Sequence, residues 1–225
     1  MLKPSERGKR CQSLTSVTAV TVAAMSAAVI TRLAGMVRWE PGTRERLQAA
    51  AIDLYIGRGY DRTTAADIAQ AVGLTERTFF RHFADKREVL FSGQELLEQA
   101  FLDGVAAAGA DASPLEMVES ALSAAAPFFS AERRDHSRRR QRIISENPAL
   151  QERELLKLAG LATALASALR SQGVPEATAT LAAESGVTVF GVAFGKWIAE
   201  SEERSFLDIE REVLGELVAM ATGAT

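Results

Sequence analysis

Arg77 and Arg81 stand four residues apart, and they alternate with Phe79 and Phe83, also four apart. On a helix each pair shares one face, and at about 100° per residue the arginines point nearly opposite Phe79. The phenylalanine face is suited to burial and the other to recognition. An arginine can donate two hydrogen bonds to guanine O6 and N7, and a threonine methyl such as that of Thr78 can pack on thymine. His82 and Lys86 follow at the end of the segment, placed for phosphates rather than bases. This spacing points to a helix laid in the major groove of a DNA duplex.

Such a helix needs a frame, and the residues before it supply one. Thr64 precedes an apolar-periodic run (Ile68, Ala69, Val72), with Asp67 three residues on. A hydroxyl at the cap and a carboxylate at the third helical position satisfy free N–H groups reciprocally, so a helix starts here. Gly73 ends it in the left-handed conformation, Thr75 caps the second helix, and Asp85 with Glu88 repeats the capping pattern. Two short helices about a glycine turn make a helix-turn-helix. The N-terminus of the Thr64 helix adds N–H groups and a positive dipole end for a phosphate.

The run TRERLQAAAIDLYIGRGYDRTTAADIAQAVGLTERTFFRHFADKREVLF, Thr43 to Phe91, resembles the DNA-binding domain of TetR-family transcriptional regulators. The resemblance rests on the GY segment closing helix one, the Thr-Thr pair, DIA-x-x-x-G, TFFRHF and the lysine after it. It implies an all-α fold of about nine helices. A three-helix DNA-binding domain with a helix-turn-helix would lead into a helical-bundle ligand-binding and dimerisation domain. By the same resemblance Thr75, Glu76, Arg77 and Thr78 match positions that face bases or phosphates. Thr64, His82 and Lys86 match phosphate-contacting positions, and Arg44 reaches the backbone or a neighbouring groove. Phe80 falls where the family usually has a tyrosine touching a phosphate, so an apolar sugar or methyl contact is all it can offer.

The bulk properties exclude more than they assert. The 225 residues carry 26 basic and 29 acidic side chains, so overall charge gives no sign of a nucleic-acid partner. The single cysteine, Cys11, excludes an internal disulfide framework. Two histidines far apart in sequence and no Cys/His cluster leave no zinc pattern, and no nucleophile, P-loop or Rossmann signature is present. Neither an enzyme nor a cofactor is expected. Residues 38–84 are read as the DNA-binding domain and 85–225 as the effector-binding and dimerisation domain.

Residues 1–37 form an extension outside both domains. Lys3, Arg7, Lys9 and Arg10 precede an apolar run from about Leu14 to Ile30, the outline of a secretory signal peptide. Export is at odds with binding DNA in the cytoplasm. Residues 1–35 are therefore read as a non-native or dispensable extension, Met36 being a natural start. The other reading is a genuine membrane anchor; without it no membrane partner is expected.

Beyond Asp85 the sequence predicts helices at about 86–107, 115–128, 133–146, 149–171, 176–199 and 205–221. Gly186, Gly191 and Gly195, at about 1 kcal/mol each against alanine, need an offset such as close approach of another helix. They share their helix with Phe190, Phe194 and Trp197, and the last helix carries Phe206, Ile209, Val213 and Leu217 at helical spacing. All of these except Gly195 are the candidate dimer interface, nine residues in all, with ordinary core as the alternative. Six arginines fall between Arg133 and Arg142, which reads either as a solvated face paired with acidic neighbours or as a grip on an anionic, acyl-coenzyme A-like effector. Phe101, Met117, Phe128, Arg139, Leu161 and Phe190 are the candidate effector pocket. The resulting expectation is a homodimeric repressor on a quasi-palindromic operator, released by a small apolar or acyl-type effector. The alternative is a helical ligand- or partner-binding protein that does not read DNA.

Overall fold

The computed structural model describes residues 42–223, so the extension at 1–37 lies outside the described residues. Nine α-helices follow one another, with no strand among the described residues. They are α1 (Thr43–Arg58), α2 (Ala65–Ala71), α3 (Glu76–Phe80), α4 (Gln94–Ala107), α5 (Pro114–Ala125), α6 (Arg134–Ser145), α7 (Pro148–Ser171), α8 (Glu176–Trp197) and α9 (Phe206–Thr222).

Local chemistry explains the boundaries. The Thr64 hydroxyl accepts from Asp67 N at 3.1 Å and the Asp67 carboxylate accepts from Thr64 N at 2.8 Å, the reciprocal cap expected of this pair. Ser113 and Glu116 repeat that cap on α5, where Pro114 occupies the first turn. The expected helix 86–107 is interrupted: Glu88–Phe91 is a single 3-10 turn, and Gly93, at φ 86°, separates it from α4. The Asp85 carboxylate accepts from the backbone N–H groups of Arg87 and Glu88, so its cap serves this short turn.

Two apolar cores result. The first joins α1–α3 and the 3-10 turn through Leu47, Ile52, Ile68, Phe79, Phe83 and Leu90, and draws in Ile143, Ile144 and Leu150. The N-terminal core thus runs past residue 84 to Phe91 and is completed by α6 and α7. The second core binds α4, α5, α7, α8 and α9 together. Gly104 lets α4 meet α5: a Cβ there would stand 2.5 Å from Ala121 Cα.

The outward and inward faces of α8 and α9 differ from expectation. Gly186, Phe190, Trp197, Phe206, Ile209 and Val213 are buried in this chain's own core. A Cβ on Gly186 would meet Val118 Cγ1 at 2.8 Å, so close approach is real there, but the approaching helix is α5 of the same chain. Gly191 and Gly195 are exposed with open space around them, and Phe194 and Leu217 are half-buried. The apolar stripe faces inward because five helices need it to close one core.

Candidate nucleic-acid interface

Phe79 is fully buried and Phe83 is 3% exposed, their rings 5.5 Å apart against the first core. That anchors the one-and-a-half turns of α3 and turns its other face to solvent. Arg77 and Arg81 are both exposed, and neither has an ion-pair or hydrogen-bond partner among the described residues. Phe80 is 52% exposed with its ring edge-on to Phe79 at 5.4 Å. Thr75 caps α3 by accepting from Thr78 N, and the two hydroxyls lie 3.0 Å apart. Glu76 is exposed beside them, and His82 is half-buried past the helix end. Gly73, at φ 73°, makes the turn between α2 and α3, and Arg46 of α1 donates to the Val72 carbonyl at 2.8 Å, holding the turn onto α1.

Two basic residues make contacts within the chain that the sequence did not foretell. Lys86 Nζ donates to the carbonyls of Tyr60 (2.8 Å) and Thr63 (3.1 Å) and lies 4.2 Å from the centre of the Tyr60 ring. Its ammonium is held by the carbonyls of the turn between α1 and α2, a positioning contact beyond the phosphate role that the resemblance implied. The Tyr55 hydroxyl closes the arrangement by donating to the Lys86 carbonyl at 2.6 Å, and burial pushes its pKa well up. Arg44 donates from Nε to the Ser92 hydroxyl at 2.8 Å with its guanidinium 5.2 Å from the Phe83 ring. Exposed Thr64 keeps its hydroxyl on Asp67, at the N-terminus of α2.

The arginines of α6 divide: Arg139, Arg140 and Arg142 pair with acidic neighbours, as the solvated-face reading expects, while Arg134 and Arg138 bond backbone carbonyls. Arg138 donates to the carbonyls of Ile198 and Ala199, and Arg134 to those of Glu202 and Arg204, at the end of α8 and the turn after it. Arg140 donates to the Leu90 carbonyl at 2.6 Å and to Glu154 at 3.1 Å, and Arg142 pairs with Glu146. Arg139 pairs with Asp53 of α1, so it stands apart from the other five pocket candidates. Helix α6 is therefore a strut, stapled to the N-terminal core on one side and to the α8–α9 turn on the other. His136 is held below its usual pKa by burial and by Arg140, Arg133 and Arg139. No group of metal-ligating side chains exists among the described residues.

Of the remaining pocket candidates, Phe101, Met117, Leu161 and Phe190 lie in the second core. Phe128 does not pack on that core; the neighbouring Phe129 does, its ring within 4.3–5.8 Å of Phe190, Phe194, Trp197 and Phe206. Periodicity fails across this proline-containing turn, so the sequence offered no basis for choosing between the two.

An all-α chain with a buried-back, basic-fronted second helix in a helix-turn-helix defines a DNA-binding transcriptional regulator rather than an enzyme. Comparison with known proteins makes the class specific. Residues 47–92 match the model of the bacterial regulatory proteins of the tetR family, and residues 112–222 match the MftR C-terminal domain. The chain belongs to the TetR family of transcriptional regulators. It is 39% identical over 82 residues to the HTH-type transcriptional regulator TcmR of Streptomyces glaucescens, a match spanning 36% of each chain. To the regulator MftR of Mycobacterium tuberculosis it is 27% identical over 158 residues, 69% of this chain and 78% of that one. Its fold is similar to TetR-family structures from Syntrophomonas wolfei (TM-score 0.57, 17% identity, covering 81% of this chain and 96% of that one) and Mesorhizobium loti (0.51, 17%, 82% and 98%).

Proposed function

We propose that this regulator is a dimeric, cytoplasmic repressor that holds a quasi-palindromic operator and leaves it when a small molecule with an apolar body occupies the C-terminal core. The observation that carries the reading is the outward pair Arg77 and Arg81 over the buried pair Phe79 and Phe83. Thr75, Glu76, Thr78 and Phe80 complete the base-facing surface, while His82, Thr64 and Arg44 serve the flanking phosphates. Two such helices reading half-sites about 34–36 Å apart require a two-fold pair of chains.

The pairing surface is the outer face of α8 and α9. Leu181 (70% exposed), Thr188, Gly191, Val192 (45%) and Gly195 line it on α8, and Gly215 and Val218 on α9. Small residues there permit close helix approach, and the exposed apolar side chains gain from being covered. An apolar effector is favoured over a phosphate-bearing acyl one, because all five α6 arginines are already engaged within the chain.

Fluorescence anisotropy with DNA from upstream of the chain's own coding sequence, over a salt series, tests the proposal. Specific binding that weakens as salt rises supports it, since neutralised phosphates release counterions. Binding to that DNA no tighter than to a scrambled duplex would favour the alternative, a helical ligand-binding protein that reads no sequence.

A further inference from the structure

Glu210 is 2% exposed, and neither of its carboxylate oxygens has a hydrogen-bond partner among the described residues. It shares the inward face of α9 with Phe206, one turn before it, and with Val213 and Leu214 after it. Side chains on a helix lean toward the preceding turn, which sets this carboxylate alongside Phe206. The Phe206 ring in turn contacts Phe129 at 4.3 Å, Trp197 at 5.8 Å and Phe190 at 5.9 Å. The indole N–H of Trp197 is a second buried polar group in this cluster with no hydrogen-bond partner among the described residues.

A buried carboxyl that makes no hydrogen bond is costly, and selection of an apolar residue would remove the cost. Aromatic faces carry negative quadrupoles that attract cations, and attraction grows when water is excluded. Phe129 is the one ring of the cluster that lies outside a helix, on the connection between the 3-10 turns Ala126–Phe128 and Ala131–Arg133. It is partly exposed, as is Phe194 beside it, so its withdrawal opens the cluster to solvent without breaking a helix.

We propose that the effector of this regulator is a small organic cation with an apolar body, seated where Phe129 now plugs the cluster of Phe190, Phe194, Trp197 and Phe206, with its charge against the Glu210 carboxylate. This rests on the ligand-responsive reading above and names the chemistry of that ligand.

The site predicts a proton signature. Burial alone pushes Glu210 up to about 8, so the unliganded carboxyl is mostly protonated at pH 7. Of the charged neighbours on the packed elements, Arg134 of α6 lies against the cluster, its guanidinium 5.2 Å from the centre of the Trp197 ring, and the others are turned elsewhere. Lys196 of α8 pairs with Glu212 and Glu216, and Glu116 and Glu119 of α5 are exposed; Arg134 itself donates to the carbonyls of Glu202 and Arg204. An arriving cation favours the ionised carboxylate and expels its proton to solvent.

Isothermal titration of the full chain at pH 7 with octyltrimethylammonium, octanol and octanoate, in two buffers of different ionisation enthalpy, tests this without DNA. The cation should bind at least about tenfold more tightly than either matched compound, a difference of about 1.4 kcal/mol. It should also release close to one proton for each cation bound. Glu210→Gln should abolish both the preference and the proton release while leaving octanol binding unchanged, and Phe129→Ala should tighten the cation by removing the plug. Equal affinities for the three compounds, no cation binding, or an unaltered cation affinity in Glu210→Gln overturns the proposal. Each of these outcomes leaves the operator reading standing, just as failure to bind DNA leaves this one standing.

Discussion

Lys86 and Tyr60 are joined twice: the ammonium donates to the tyrosine carbonyl at 2.8 Å and sits 4.2 Å above the ring of the same residue. The pair fixes the turn that leads into α2, and so the angle at which α2 and α3 leave α1. Lys86→Met keeps the apolar stem but strands the Tyr60 and Thr63 carbonyls. It should cost about 1–2 kcal/mol of stability and weaken binding to all DNA sequences alike. Urea denaturation with anisotropy on specific and scrambled duplexes checks both. A change in base preference would show that Lys86 reads DNA directly.

Arg77 gives the opposite pattern. It is exposed on α3, ahead of the buried anchor Phe79, and makes no contact that holds the fold. Arg77→Ala should leave the melting temperature unmoved, cost about 1–3 kcal/mol at one operator position and relax the preference there. Selection of bound fragments by the wild type and the variant, followed by sequencing, would display that position. A uniform loss across sequences would reassign Arg77 to a phosphate.

The contrast between these two residues shows how far the sequence could be read. Thr64 with Asp67, Gly73, and Phe79 with Phe83 were legible because caps, turns and helical faces are set by residues within four positions of one another. The destination of Lys86 was not, because its acceptors are backbone carbonyls more than twenty residues away, and carbonyls leave no trace in residue identity. The same holds for Arg134 and Arg138, whose acceptors lie sixty to seventy residues on. Helical spacing likewise marked Phe206, Ile209 and Val213 as one face, but periodicity names a face and not what covers it.

The α6 strut carries a third expectation. Arg140 is desolvated between the Leu90 carbonyl, Glu154 and the Phe91 ring, at the seam where α6 completes the N-terminal core. Arg140→Met should cost about 1–3 kcal/mol by leaving both acceptors without their charged donor. If the seam also links the two cores, effector should lose its hold on DNA affinity while binding to the C-terminal core persists. Titrating effector in the presence and absence of operator separates the two, and retained coupling would reduce Arg140 to a stability role.

Three glycines give a test of the pairing surface. A Cβ at Gly104 would press on the backbone of Ala121, which cannot yield cheaply, so Gly104→Ala should destabilise the folded chain by about 1–3 kcal/mol. Nothing stands within 4 Å of a Cβ at Gly191 or Gly195. On the isolated chain alanine at either position should stabilise by up to about 1 kcal/mol through helix propensity. If a second copy packs on that face, the same changes should raise the dimer dissociation constant in sedimentation equilibrium. Unchanged assembly in both variants would place the pairing surface elsewhere.

Glu210 makes stability depend on pH in a direction opposite to that of most carboxylates. Its folded value, about 8, lies above the ordinary 4.5, so between those values the folded chain holds a proton that the unfolded chain has released. The contribution is complete below about pH 4.5 and is lost as pH rises through about 8, by at most about 1.4 kcal/mol for each pH unit. His136 acts in the other sense: its folded value is depressed below 6.5, so its contribution is present above that pH and is lost as pH falls. Urea midpoints at pH 7 and pH 8 therefore report mainly on Glu210. The wild type should be less stable at pH 8, and Glu210→Gln, which keeps the shape but cannot ionise, should lose that slope and become the more stable of the two at pH 8. Parallel midpoints for both chains would mean that Glu210 is solvated or paired, and would withdraw the carboxylate from the core.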